Sequence, residues 1–411
     1  MPLELPTDNI EIVHHANWLN ENCPCTSLDR QLLPNIKAAS ALFSETPVFI
    51  SQTELDQMKQ QISALETVIS NPNYQSKVLQ QSPAIASIEA KSKGVFMGYD
   101  FHMSDAGPKL IEINTNAGGA NFVDALYRAQ NACCIGDHPL DNTNFDHTVI
   151  EMFHKEWMQS GLEGQLKTIV IVDEAPKEQF LFPEFEMLQS SLKTHGLTAH
   201  IAAPEELEFI NGKLMFGQLE IDLVYNRSVD FYFEKPDHSA LKSAFEHKAA
   251  VITPNPRDHA LFAAKSNLEK LSNPVFLQEL RIDTITINAL KILPKTIRMT
   301  TENADELWSK RKKLFFKPVA GNGGKAVYRG DKITKKTWAN ILANDYVAQE
   351  LVAPKVRNAK NENGDGSSLL KSDIRLYTYD GEVLIAAARL YMGQTTNFRT
   401  AGGGFAPIYI A

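Results

Sequence analysis

Apolar positions along the chain change period several times, and each change marks a different kind of element. In TELDQMKQQISALETVIS (53–70), Leu55, Met58, Ile62, Leu65 and Ile69 recur at helical spacing, which predicts an amphipathic helix packed on a neighbouring unit. Residues 1–92 as a whole predict mostly helix. GVFMGYDFHM (94–103) and PKLIEIN (108–114) instead predict two strands joined through SDAG, a hairpin closed by Gly107. Beyond the glycines that follow, NFVDALYRAQNACC returns to helical spacing.

A new pattern starts near residue 165. LKTIVIVD (166–173) predicts a buried strand, LFPEFEMLQSSLKTHG (181–196) an amphipathic helix stopped by Gly196, and TAHIAAP (198–204) a second strand. That strand–helix–strand order predicts a small parallel α/β layer. LEFINGKLMFGQLEIDLVYNR (207–227) adds an NG turn and a strand ending at Asn226–Arg227. From about 250, the Pro-rich AVITPNPRD leads into a helix, and LFFKP and KAVYRG predict strands on either side of a glycine loop. DYVAQELVAP predicts a strand stopped by proline, AKNENGDGSS (359–368) a polar mobile loop, and SDIRLYTYDGEVLIAAARLY (372–391) a hairpin through Asp380–Gly381.

Composition narrows the functional classes. With 411 residues the chain exceeds one ordinary core, so two or three packed units are expected. Hydrophobic residues at 43% and charged residues at 22% fit a globular enzyme. A net charge of −8 argues against a nucleic-acid partner, whose footprint is basic, yet 41 Lys+Arg leave material for a local phosphate cleft. The opening MPLELPTDNIEIVHH has acids where a signal peptide needs a basic start, and no segment approaches the roughly 20 apolar residues that cross a bilayer, so a cytoplasmic protein with no membrane partner is expected. The four cysteines form two close pairs, Cys23/Cys25 and Cys133/Cys134, without zinc-finger spacing. Reduced thiols are the expectation, with a metal site assembled in space as the alternative.

Two stretches carry candidate chemistry. In LIEINTNAGGANF (110–122), Glu112 and Asn114 are two apart on a strand and so share a face. If the hairpin closes at SDAG, Asp100 reaches the same cavity from the neighbouring strand. Three hard oxygen donors suit Mg²⁺, which takes a few carboxylates and otherwise water and phosphate. The alternative is two exposed acids and a turn-forming Asn. In LFFKPVAGNGGKAVYRG (314–330), Gly321, Gly323 and Gly324 free backbone N–H groups to approach phosphate oxygens, while Lys317 on the strand and Lys325 in the loop add charge. The spacing is neither that of a P-loop nor that of a dinucleotide fingerprint, and a plain hairpin turn is the alternative. VAQELVAP (347–354) then offers a strand edge, Gln349, Glu350, Leu351 and Val352, whose backbone reads an adenine while apolar side chains sandwich it.

Together, Lys–Pro with a glycine loop, the Q-E-L-V segment and Asp…Glu-x-Asn resemble the ATP-grasp superfamily. Because the metal hairpin precedes the glycine loop, the chain resembles the circularly permuted branch, typified by the synthetase domain of glutathionylspermidine synthetase, with no counterpart of the amidase domain fused to that enzyme. The resemblance runs from about residue 94 to the end. It implies an α+β fold: a circularly permuted ATP-grasp fold with a small parallel α/β, pre-grasp-like domain. The parts would be a helical region (1–92), the metal-binding part of the core (93–164), the substrate domain (165–250), and a lobe with glycine loop, adenine hinge and last core strands (251–411). The strands of ARLYMGQTTNFRTAGGGFAPI would pack next to the first hairpin.

The resemblance also implies roles. Asp100, Glu112 and Asn114 look like ligands of Mg²⁺, two ions in all. Lys265 and Lys317 look like the nucleotide lysines, and Gln349 to Val352 like the hinge. Arg389 and Arg399 are candidates to stabilise an acyl-phosphate, and Arg227 and Asn397 to bind substrate, with Arg227 equally readable as a structural ion-pair partner. One departure stands out: many relatives carry an arginine two residues before the metal aspartate, where this chain has Gly98. Arg227, Arg375 or Arg389 would then take over, or phosphate binding would be weaker. The implied activity is ATP- and Mg²⁺-dependent ligation of a small-molecule carboxylate to an amine. A kinase using the same site and a non-catalytic ATP-binding protein are the alternatives. Residues 1–92 would cap the cleft or mediate a homodimer.

Overall fold

The computed structural model describes residues 3–4, 42–44, 47–131, 134–135, 144–319, 326–360, 367–394, 396, 400 and 402–410. The helical stripe read at 53–70 forms α1 (Gln52–Ile69), capped reciprocally by Ser51 and Glu54, and all five stripe residues are buried. The hairpin follows as β1 (Met97–Ser104) and β2 (Gly107–Asn114). Along β1 the strand period divides the residues between two environments. Met97, Tyr99, Phe101 and Met103 enter the core beneath α1, while Asp100 and His102 line a cleft on the other face. Helix α2 (Ala120–Asn131) comes next.

The parallel layer consists of β3 (Thr168–Val172), β4 (Thr198–Ala202), β5 (Leu223–Asn226) and β6 (Val251–Thr253), in spatial order β6-β5-β3-β4. All three pairings are parallel. Strand β3 is buried on both sides: Ile169 and Ile171 enter one cluster, Val170 and Val172 another. The sequence signalled three of these strands. The fourth, β6, lies in the Pro-rich segment read as a lead-in to a helix, because three residues are too short for a periodic signal.

A second, antiparallel sheet consists of β7 (Thr296–Arg298), β8 (Leu314–Pro318), β9 (Tyr328–Arg329) and β10 (Tyr346–Glu350), in order β7-β10-β8-β9. Phe316 anchors its small core with Leu307, Ile341 and Tyr346, which leaves Phe315 and Lys317 on the cleft side. The chain then forms β11 (Lys355–Lys360), β12 (Ser367–Tyr379), β13 (Glu382–Tyr391) and β14 (Gly404–Ala406).

These late strands return to the first hairpin in the order β14-β13-β12-β1-β2. On the side away from β2, β1 is therefore paired with β12, with Arg375 opposite Asp100, and not with the last strands as expected from the sequence. The expected hairpin at Asp380–Gly381 forms, both turn residues having positive φ. Val48–Ile50 adds a short parallel pairing with Ile408–Ile410. Among the described residues no helix is long and apolar enough to cross a membrane.

Candidate active site

The cleft lies between the β1–β2 hairpin and the β7–β10 sheet and encloses about 230 Å³. Its floor is a band of charged residues running across the large sheet. Glu112 faces Asp100 in register, Asp100 faces Arg375, and Asp373 faces Arg389. Arg375 grips Asp100 with two bonds, Nε to Oδ1 at 2.6 Å and a terminal nitrogen to Oδ2 at 2.8 Å. Arg389 reaches Asp100 Oδ2 at 2.7 Å and Asp373 Oδ1 at 2.6 Å. Burial alone would raise the Asp100 carboxyl, but Arg375 and Arg389 outweigh it and hold the group well below the usual carboxylate range.

Of the expected metal ligands, Asn114 donates from Nδ2 to Asp100 Oδ2 at 3.0 Å. Glu112 meets Lys265 at 3.2 Å from Oε1. Burial raises the Glu112 carboxyl, and Lys265 and Lys317 more than offset that, so it is lowered. Among the described residues the Asn114 amide oxygen and Glu112 Oε2 have no hydrogen-bond partner, and neither is one of the buried unpaired atoms. Asp100 Oδ1 accepts one bond and keeps a lone pair. A few hard oxygens with room for ligand oxygens is the donor set Mg²⁺ takes, so the residues fit the ion. Among the described residues no group of three His, Cys, Asp or Glu side chains is placed to hold a metal, so Asn114 and ligand oxygens would complete the shell.

The two lysines converge on the same hairpin from different elements. Lys265 follows the π-helical turn His259–Ala263. Lys317 stands on β8, and its ammonium donates to the Ile111 carbonyl at 3.0 Å. Burial lowers the Lys317 ammonium. The segment expected to form the hinge lines one wall: Gln349, Glu350, Leu351 and Val352 all border the cleft. The carbonyl of Val352 is 2.7 Å from His102 Nδ1 and fixes this segment against β1. His102, Tyr391 and Arg375 also line the cleft. His102 and Tyr391 escaped the sequence reading, and Arg375 figured there only as one of three substitutes for Gly98.

The remaining candidates fall elsewhere. Gly321, Gly323, Gly324, Lys325, Asn397 and Arg399 lie outside the described residues. Arg227 is 8% exposed and absent from the cleft lining. Its guanidinium lies 5.5 Å from the Phe185 ring and 5.6 Å from the Tyr225 ring, and it donates to the Asn116 carbonyl and the Tyr225 hydroxyl. Asn116 returns two bonds to the carbonyls of Arg227 and Ser228. Arg227 thus clamps β5 to the turn after β2, and among the described residues no carboxylate lies within ion-pair distance of it. Nearby, Ser228 Oγ lies 2.8 Å from His238 Nε2, and His238 Nδ1 lies 3.5 Å from Asp230. The outline is that of a hydrolytic triad, but Ser228 and His238 are both 0% exposed, so no substrate reaches them.

No protein-family model matches the chain, and no curated protein matches it significantly. Solved structures do. A glutathione synthetase-like effector from Globodera pallida superposes with a TM-score of 0.60 at 14% identity, over 90% of this chain and 90% of that one. A putative gamma-glutamylcysteine synthetase from Methylobacillus flagellatus superposes with a TM-score of 0.51 at 11% identity, over 89% of each chain. At such identities the likeness speaks for the fold alone, and that fold is the ATP-grasp-related one expected from the motifs.

Proposed function

We propose that the chain is an ATP- and Mg²⁺-dependent carboxylate–amine ligase whose order of elements is circularly permuted. The observation that carries this reading is the shared cleft: Glu112 on the early hairpin and Lys317 on the late lobe line one cavity, with the 349–352 edge along its wall. The return of β12 onto β1 supports the permuted order, since it seats the metal-type hairpin beside strands that come more than 250 residues later. The two solved neighbours are a glutathione synthetase-like effector and a putative gamma-glutamylcysteine synthetase, names that agree with amide formation.

In the proposed reaction a substrate carboxylate oxygen attacks the γ-phosphorus of ATP. The bond to the β,γ-bridging oxygen breaks, and ADP leaves. The amine nitrogen then attacks the acyl carbon, inorganic phosphate departs with the carboxylate oxygen, and the nitrogen gives up its proton. Glu112, Asn114 and the remaining lone pair of Asp100 would hold Mg²⁺, which when bound supplies charge neutralisation on the phosphates. Lys265 and Lys317 neutralise phosphate oxygens, and the apolar walls of Ile111, Phe315 and Val352 exclude water that would hydrolyse an acyl-phosphate.

Phosphate release from ATP, measured with pools of amino acids, small peptides and polyamines, tests the proposal. Release that requires both an acid and an amine is expected, and Glu112→Gln should abolish it while circular dichroism stays unchanged. A stable phosphorylated product formed without amine would replace the ligase reading with a kinase.

A further inference from the structure

The segment along the cleft wall changes its means of support at Leu351. Up to that residue the sheet holds it: the Glu350 N–H donates to the Lys295 carbonyl at 2.9 Å and the Leu351 N–H to the Lys313 carbonyl at 2.8 Å. Strand β10 ends at Glu350, and residues 351–354 belong to no strand or helix. The next fixed point is the Val352 carbonyl, which accepts from Nδ1 of His102 at 2.7 Å. A carbonyl only accepts, so Nδ1 carries the hydrogen. Across the ring, the hydroxyl of the buried Tyr391 lies 3.3 Å from Nε2, so the imidazole is held at both nitrogens.

Between these two fixed points lies a single peptide unit, made of the Leu351 carbonyl and the Val352 N–H. The unit is planar, and with the units before and after it anchored, little freedom is left to turn it. The Val352 N–H has no hydrogen-bond partner among the described residues, although Val352 is 8% exposed and borders the cleft. A backbone donor in such surroundings ordinarily has a partner. This one is left for a molecule in the cleft.

The phosphate-type lysines are held by other means. Lys265 meets Glu112, and Lys317 donates to the Ile111 carbonyl. His102 therefore supports the wall without supporting either lysine.

Given the nucleotide site proposed above, on which this reading rests, we infer that His102 is a positioning residue for the adenine base. By holding the Val352 carbonyl it fixes the neighbouring peptide unit, so that the Val352 N–H is aimed at N1 of the ring, a nitrogen that carries no hydrogen. Without the imidazole the end of the segment is free to rotate, and the cost falls on recognition of N1 and not on the phosphates.

The test is a thermodynamic cycle on protein and ligand together. Binding of ATP and of 1-deaza-ATP, in which a C–H replaces N1, is measured by calorimetric competition with Mg²⁺ and without acid or amine substrate. The proteins are the wild type, His102→Leu, which keeps the bulk and loses the donor, and His102→Asn, whose amide can take the place of Nδ1. The wild type should prefer ATP at least about tenfold. His102→Leu should weaken ATP nearly to the level of 1-deaza-ATP while changing 1-deaza-ATP less than about twofold, and His102→Asn should restore most of the preference. Equal binding of the two ligands by the wild type, or equal losses for both in His102→Leu, would overturn the role of His102 and leave the nucleotide site standing. A wild type that binds neither would overturn both. Should His102→Leu unfold in a thermal melt, His102→Gln decides by the same readings, since its amide falls at the Nε2 position and leaves the Val352 carbonyl without a donor.

Discussion

The ammonium of Lys317 sits 3.0 Å from the carbonyl oxygen of Ile111, the residue of the hairpin at which the pairing register shifts. Asp100 pairs with Glu112 and Phe101 with Leu110, so Ile111 is the extra residue of a bulge. The bulge frees a carbonyl and turns it toward the late lobe, and Lys317 uses it. Two hairpins some 200 residues apart are thereby pinned at the point where phosphate is expected.

Lys317→Met tests that pin without opening a hole. The side chain is half-buried, and methionine matches its length without a charge to desolvate. We expect the melting temperature to fall little and MgATP affinity to fall at least about tenfold, as befits loss of a charged phosphate contact. Calorimetry and a thermal melt on the same preparation check both halves.

Asp100→Asn should act on stability. The carboxylate balances two buried guanidiniums, and a neutral amide leaves them facing each other, at a cost of about 3 kcal/mol. The folded carboxyl titrates below its ordinary 3.8, so its contribution is present above that value and lost as pH falls through the lower folded value. The gap between wild type and variant in chemical denaturation should be constant from pH 5 to 8 and close in stronger acid. A gap that keeps growing across neutral pH would contradict this account.

How much of this was legible in the sequence depends on how far each residue's signal is local. The β1–β2 hairpin announces itself through the alternation of its first strand and a short turn, and Glu112 and Asn114 stand out as oxygen donors two apart. The hinge and the strand bearing Lys317 are likewise local. Arg375 is harder, because in S-D-I-R-L-Y an arginine between Ile374 and Leu376 also reads as the exposed face of a hairpin. Only the pairing of β12 with β1 shows that this face is covered, with Arg375 and Asp373 at 8% and 0% exposure. A signal was nonetheless present: Asp373, Arg375 and Arg389 are charged residues flanked on both sides by neighbours that are mostly apolar or small. Lys265 needed the π-helical turn before it to face Glu112, and no periodicity encodes that.

The turn after β2 should be intolerant of side chains. Gly119 has φ +109°, and a Cβ there would lie 2.1 Å from the Phe405 ring and 2.7 Å from the Tyr377 hydroxyl. Its N–H donates to both carboxylate oxygens of Glu184 at 2.8 Å, so the backbone cannot retreat without breaking those bonds. Gly119→Ala combines an unfavourable backbone region with overpacking against a fully buried ring, and about 3 kcal/mol or more of destabilisation is expected. Soluble yield and denaturant midpoint should both drop, and a midpoint within error of wild type would refute the packing described.

Asp124 on α2 should show the opposite pH dependence to Asp100. It is 2% exposed, one oxygen pairs with Arg128 at 2.5 Å, and the other has no partner among the described residues. Burial pushes its carboxyl up to about 6, with the Arg128 guanidinium countering only part of the shift. The folded state therefore holds this proton more tightly than the unfolded chain does. Stability linked to the group is full below the ordinary 3.8 and is lost as pH rises through about 6, beyond which the penalty is constant. Asp124→Asn removes the ionisation, and the surface-exposed Arg128 loses little by it. The variant should match wild type near pH 4, gain stability progressively up to pH 6 to 7, and hold a constant advantage of about 1–2 kcal/mol at pH 8. Denaturant titrations at those pH values measure it. An advantage at pH 4 equal to that at pH 8 would mean that packing, not the buried charge, sets the cost of this aspartate.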